Sequence, residues 1–142
     1  RQERLAQSAS QRAHEVLALA VLAEVAGRFQ SRAPCLEREQ LSEQLRASSH
    51  LVNHTINRLV RCGFLREVTE TSEIVPAVAL ESTPVADVIT QLRCEGTSTV
   101  LGEQVEGLSL IERLWNENES SAWNVQSGLT VGELARRIDS AP

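Results

Sequence analysis

Apolar positions recur at helical spacing through most of this chain, and the one clear break in that rhythm falls between Phe64 and Leu80. Val16, Leu17, Ala20, Val21, Leu22, Val25 and Phe29 give residues 11–32 more than one apolar stripe. That predicts a long first helix buried on several sides, either a central post or half of a dimer interface. Pro34 is placed to end it, and Cys35-Leu36 to add a one-rung strand. Leu41, Leu45, Val52, Ile56 and Leu59 then fall where two short helices, near 37–46 and 49–62, press apolar faces together. Ser48 stands where the second needs an N-cap, because a hydroxyl can accept a bond from an otherwise orphan amide. The spacing is that of a helix-turn-helix.

Cys62-Gly63-Phe64-Leu65 closes this unit and begins an extended run. Phe64–Val68 alternates as a strand, Thr69–Glu73 supplies a turn, and Ile74–Leu80 returns as an edge strand, since Pro76 has no amide to donate. Thr83-Pro84 is a cap followed by proline at the first helical position, opening a fourth helix that buries Val85, Val88, Ile89 and Leu92. Glu95-Gly96-Thr97-Ser98-Thr99 reads as a linker. Beyond it, Leu108, Ile111 and Trp115 share a helical face flanked by Leu110 and Leu114, in a helix expected to continue toward Trp123. Gly128 breaks it, and Thr130 with Glu133 forms a capping box for a last helix bearing Val131, Leu134 and Ile138. The expected fold is mainly α: a winged helix-turn-helix with a small two-stranded wing and extra C-terminal helices. The expected divisions are residues 1–94 as winged-helix core, 95–107 as linker, and 108–142 as a helical extension packing on the core or on a dimer partner.

Charge sharpens this picture. The formal net charge is -5, against the basic surplus usual for nucleic-acid binders. The distribution is more permissive than the total. No acid occurs from Ala47 to Leu65, a stretch that holds His50, His54, Arg58 and Arg61, while acids gather at Glu37, Glu39 and Glu43 and at Glu67, Glu70 and Glu73. Cys35, Cys62 and Cys94 lie far apart without a Cys-x-x-Cys pair, which argues against a disulfide framework or a zinc site. Residues 16–26, the best apolar run, are interrupted by Glu24 and fall short of the ~20 residues a bilayer requires.

The third helix carries the candidate chemistry. With Leu51, Val52, Ile56, Leu59 and Val60 inward, Ser49, His50, Asn53, His54 and Asn57 remain on the outer side, with Arg58 and Arg61 toward the end. Asn pairs in two-point fashion with adenine and Arg with guanine, so these seven residues form a chemically reasonable major-groove surface. The alternative is a solvated helix face that binds protein or nothing. His50 and His54 are spaced for one metal ion but lack an evident further ligand, and no metal or cofactor is expected. Cys62 near His54 lacks an orienting acid, and the Glu37/Glu39 pair sits on an exposed helix, so no enzymatic site is expected. Trp115 and Trp123 read as core or dimer contacts.

Residues 12–138 resemble two related groups. The long apolar helix, the helix-turn-helix of Gln40–Leu59 and Cys62-Gly63-Phe64-Leu65 resemble winged-helix regulators of the IscR kind. Thr83-Pro84-Val85-Ala86-Asp87-Val88-Ile89 is similar to their post-wing helix, and Gly128–Leu134 to their closing Leu-Thr-Leu-x-Asp-Leu segment. Three features depart from that group. Thr71-Ser72-Glu73-Ile74 replaces its Gly-Gly-Tyr wing, its cysteine trio for an iron–sulfur cluster is missing, and Arg46 stands where the turn glycine is usual. The same module also resembles the cytosolic C-terminal domain of YihY/BrkB-like membrane proteins, a family formerly called ribonuclease BN. That resemblance implies a non-catalytic cytoplasmic regulatory or interaction domain attached to an inner-membrane parent. The lack of methionine and the polar opening run Arg1–Arg12 agree with such an attachment. The alternative is a dimeric, cluster-less transcription regulator reading DNA through the third helix.

Overall fold

A single helix, α1 (Gln2–Gln30), touches nearly every other element. The computed structural model describes residues 2–101, 110, 111, 114 and 128–141, with side chains for residues 11–95, 110, 111, 114 and 128–141. After α1 come α2 (Arg38–Leu45), α3 (Ser49–Arg61), strands β1 (Leu65–Glu67) and β2 (Ile74–Pro76), a 3-10 turn (Leu80–Ser82), α4 (Val85–Leu101) and α5 (Val131–Ser140). The strands pair antiparallel, Leu65 opposite Pro76 and Glu67 opposite Ile74, as the wing of a winged helix.

Local chemistry accounts for the boundaries. α1 ends where Arg32 turns left-handed and the Ala33 amide donates back to the Arg28 carbonyl, two residues before Pro34. α2 opens with a capping box, in which Glu37 accepts from the backbone of Gln40 and Gln40 accepts from the Glu37 amide. Arg46 then adopts φ 54°, ψ 41°, the left-handed cap at which related turns use glycine. Ser48 caps α3, accepting from the Leu51 amide at 3.2 Å. Thr130 caps α5 in the same way, accepting from the Glu133 amide at 3.1 Å.

The core gathers Val21, Leu22 and Val25 of α1, Leu41 of α2, Val52, Ile56 and Leu59 of α3, Leu65 and Ile74 of the wing, Val88, Ile89 and Leu92 of α4, and Val131 and Ala135 of α5. Full burial of an aliphatic side chain of this size stabilises by about 1.5–3 kcal/mol, so this cluster binds all the elements into one unit. The C-terminal helix belongs to it. Backbone bonds from the Val85 amide to the Leu129 carbonyl and from the Val131 amide to the Thr83 carbonyl stitch α5 beside the start of α4.

Several sequence expectations need correction. Val16 and Phe29 of α1 are exposed, so that helix buries one broad face rather than several sides. On α3, Leu51 and Val60 are 41% and 38% exposed. They lie at the two edges of the buried stripe, and Thr55 takes an inward place by returning its hydroxyl to the Leu51 carbonyl at 2.8 Å. The expected linker at Glu95–Thr99 is helical and part of α4. Its residues are weak helix formers, but a helix whose first turns are packed extends at one backbone bond per residue. The return strand stops at Pro76, and Leu80 sits in the 3-10 turn. Cys35-Leu36 contributes one bond, from the Ile74 amide to the Leu36 carbonyl, and no strand. Ile138 is exposed, and Gly132 and Ala135 are buried instead. Residues 102–107 of the expected linker, Leu108, Trp115 and Trp123 lie outside the described residues.

Candidate nucleic-acid interface

The outer face of α3 is built by its buried one. Val52, Thr55, Ile56 and Leu59 fix the helix against α1, α2 and β1, and a period of 3.6 then turns His50, His54, Asn57 and Arg61 to the solvent. Ser49 is also exposed, with its hydroxyl 3.4 Å from that of Ser42. The Ser42 proton is committed to the Ala47 carbonyl at 2.6 Å, so Ser49 is the donor between the two. Asn53 is half-buried, and Arg38 donates to its carbonyl at 3.4 Å. Five of the seven candidate residues, Ser49, His50, His54, Asn57 and Arg61, are therefore exposed on this helix, with Asn53 at its edge.

Arg58 faces elsewhere. Its Nε donates to Glu95 Oε2 at 2.9 Å and its Nη2 to the Leu92 carbonyl at 2.8 Å, both on α4. Arg61 meets the other oxygen of Glu95 at 3.0 Å but keeps half its side chain in solvent. Burial raises the affinity of Glu95 for a proton, yet the hydrogen bonds and charges of Arg58 and Arg61 outweigh that and hold its carboxyl below the usual range. His54 sits edge-on to His14 of α1, ring centroids 5.8 Å apart. Desolvation, then the charges of Arg58, His14 and Arg61, lower the His54 pKa. Two nearby guanidinium groups make this pair an unfavourable cation site, and the described residues contain no cluster of three metal-ligating side chains.

Three contributors had no signature in the sequence. Arg38 grips Glu67 of the wing through two bonds at 2.9 and 3.4 Å while reaching the Asn53 carbonyl, so one acid of the wing is neutralised beside α3. His14 and Glu95 reach α3 from helices remote in sequence. The Cys62 thiol lies 3.9 Å from the Gln91 carbonyl, and burial together with Glu95 pushes its pKa up, which keeps it protonated and poorly nucleophilic.

No family model and no curated protein matches the sequence. Solved structures do match. CymR, the global cysteine regulator of B. subtilis, shares 14% identity with a TM-score of 0.58, over 87% of this chain and 93% of that one. Staphylococcus aureus CymR gives 20% identity and 0.59, over 87% and 95%. IscR of T. potens gives 16% and 0.62, over 88% and 85%. The fold is that of the CymR- and IscR-type winged-helix regulators. This likeness of fold extends over most of the chain and is consistent with the IscR-related half of the sequence resemblance. The YihY/BrkB half gains no support from it. Among the described residues, no helix is long and apolar enough to cross a membrane.

Proposed function

We propose that this domain is a DNA-binding winged-helix transcription regulator that reads duplex DNA through α3. The observation that carries the reading is the exposed, acid-free face formed by Ser49, His50, His54, Asn57 and Arg61, with Asn53 at its edge. Amide, imidazole and hydroxyl groups at successive turns suit base edges in a major groove, and Arg61 suits a phosphate. The net charge of -5 is less adverse than it looks, because Glu67 and Glu95 beside this face are each paired with arginine. The same fold in CymR, described as a global cysteine regulator, and in IscR supports a regulatory role exercised by binding rather than catalysis. Such a role belongs in the cytoplasm.

A homodimer accompanies this proposal. Leu110, Ile111 and Leu114 are helical and 51–60% exposed, an apolar strip suited to a second copy, and paired copies would present two α3 helices to successive turns of DNA. No observation favours the membrane-parent reading over this one.

The test is a salt titration of binding to mixed-sequence duplex DNA. Counterion release makes log K fall linearly with log salt, so binding should be plain at low ionic strength and fall steeply above it. Asn53→Ala and His50→Ala should weaken it. Absence of binding at the lowest salt would overturn the proposal.

A further inference from the structure

Arg58 belongs to the candidate reading helix by sequence but not by contact. Its Nε and Nη2 are spent on two acceptors of α4, the Glu95 carboxylate at 2.9 Å and the Leu92 main-chain carbonyl at 2.8 Å, and its side chain is 17% exposed. Glu95 is held from a second side by Arg61 at 3.0 Å. α4 is itself fastened to α1, where Arg93 grips Glu15 through bonds of 2.8 and 3.2 Å. These ion pairs and the His14–His54 ring contact join α1, α3 and α4 around one polar ring.

We infer that Arg58 is a positioning residue, which with Glu95 and the Leu92 carbonyl braces α3 against α4 and so sets the angle at which α3 meets DNA, without touching DNA itself. The inference rests on the DNA-reading function proposed above. Its physical basis is the guanidinium fork. Two N–H groups on one rigid plane can satisfy a carboxylate and a carbonyl at once, which a lysine ammonium on a flexible stem cannot reproduce. To reach a phosphate, Arg58 would have to abandon both bonds and leave a half-buried Glu95 with one partner fewer. Arg61 differs. Both its bonds to Glu95 go to a single oxygen, and its exposed half can accept a phosphate without dismantling the brace. The leucine on α4 that supplies the carbonyl is also a core residue, so the brace spans the packed part of α4 and not a frayed end.

The experiment uses the whole chain and four variants: Arg58→Lys, Arg58→Glu, Glu95→Arg and the double swap Arg58→Glu/Glu95→Arg. For each, DNA affinity is measured across a salt series and unfolding is followed by heat. A brace predicts that Arg58→Lys, which keeps the charge, weakens DNA binding by about tenfold and lowers Tm while the salt slope stays unchanged. The double swap should recover part of the affinity and Tm lost in the single reversals, because the exchanged carboxylate and guanidinium can pair again while Arg61 then meets a like charge and the Leu92 carbonyl loses its donor. A phosphate contact predicts the opposite: Arg58→Lys binds as well as the parent, Arg58→Glu lowers the salt slope by about 1, and the swap gives no recovery. That pattern would overturn the inference. If the parent chain binds no DNA at all, the reading function fails and the swap cycle in Tm still decides the brace: recovery upholds the α3–α4 coupling, and simple additivity refutes it.

Discussion

His54 of α3 presents its ring to the edge of His14 of α1, the centroids 5.8 Å apart and the planes inclined at 62°. The contact crosses from the candidate reading helix to the central helix, and it lies among Arg58, Arg61 and Glu95. It makes one face of α3 sensitive to the charge of an imidazole.

The consequence for pH has a definite sign. Desolvation and the surrounding cations place the folded-state pKa of His54 below its ordinary 6.5. The unfolded chain therefore binds more protons just below that value, and stability is full above pH 6.5 and declines as pH falls from there toward the folded pKa. The His54 ring resonances in an NMR titration should have a midpoint under 6.5, and His14→Ala should move it upward. A midpoint at or above 6.5 would contradict the geometry.

Glu95 acts in a lower window. Its folded pKa lies below the ordinary 4.5 because Arg58 and Arg61 favour the ionised form over the opposing effect of burial. The stabilisation it provides is present above 4.5 and disappears as pH falls through the folded value. Glu95→Gln should therefore flatten the acid limb of a plot of Tm against pH below 4.5, with a smaller difference between variant and parent at low pH than at neutrality.

Gly132 is fixed by close approach and not by backbone conformation. A Cβ there would stand 2.7 Å from the Glu81 Cα and 2.7 Å from Gln30 Nε2, a buried amide nitrogen without a hydrogen-bond partner among the described residues. Gln30 can move aside, but the main chain of Glu81 cannot do so cheaply. Gly132→Ala should destabilise the domain by about 1–3 kcal/mol in denaturant unfolding, although alanine is the better helix former.

Arg46 occupies a left-handed conformation that costs a non-glycine residue about 1–2 kcal/mol. Arg46→Gly should for that reason be neutral to stabilising by up to about 1 kcal/mol, the added freedom of glycine in the unfolded chain offsetting part of the gain. Loss of stability on this substitution would mean that the Arg46 side chain contributes a contact.

Ser48→Ala removes the acceptor that holds the Leu51 amide at the start of α3. A stability loss of about 1 kcal/mol is expected, with a larger loss of hydrogen-exchange protection in the first turn of α3 than elsewhere. Because Ser49 and His50 lie in that turn, DNA affinity should fall with it.

The helix-turn-helix, the wing and the last helix were legible in the chain because their signals are local. Ser48 acts on Leu51 and Thr130 on Glu133, relations confined to a few residues, and the burial of Val52, Ile56 and Leu59 follows from helical period alone. The outer face of α3 followed from the same period, except at its edges. There Leu51 and Val60 remain exposed, because hydrophobicity does not say how wide a stripe the neighbouring helices cover. Tertiary structure decided the rest. Arg58 looked like Arg61 in sequence, and only the packing of α4 gave it Glu95, 37 positions away, as a partner. The closeness of Gly132 to Glu81 and the meeting of His14 with His54 depend likewise on how helices cross. Caps and periodicities are set within one or two turns of chain, whereas the partner of a charged side chain is set by the angle between elements, which the summed burial of the whole core determines.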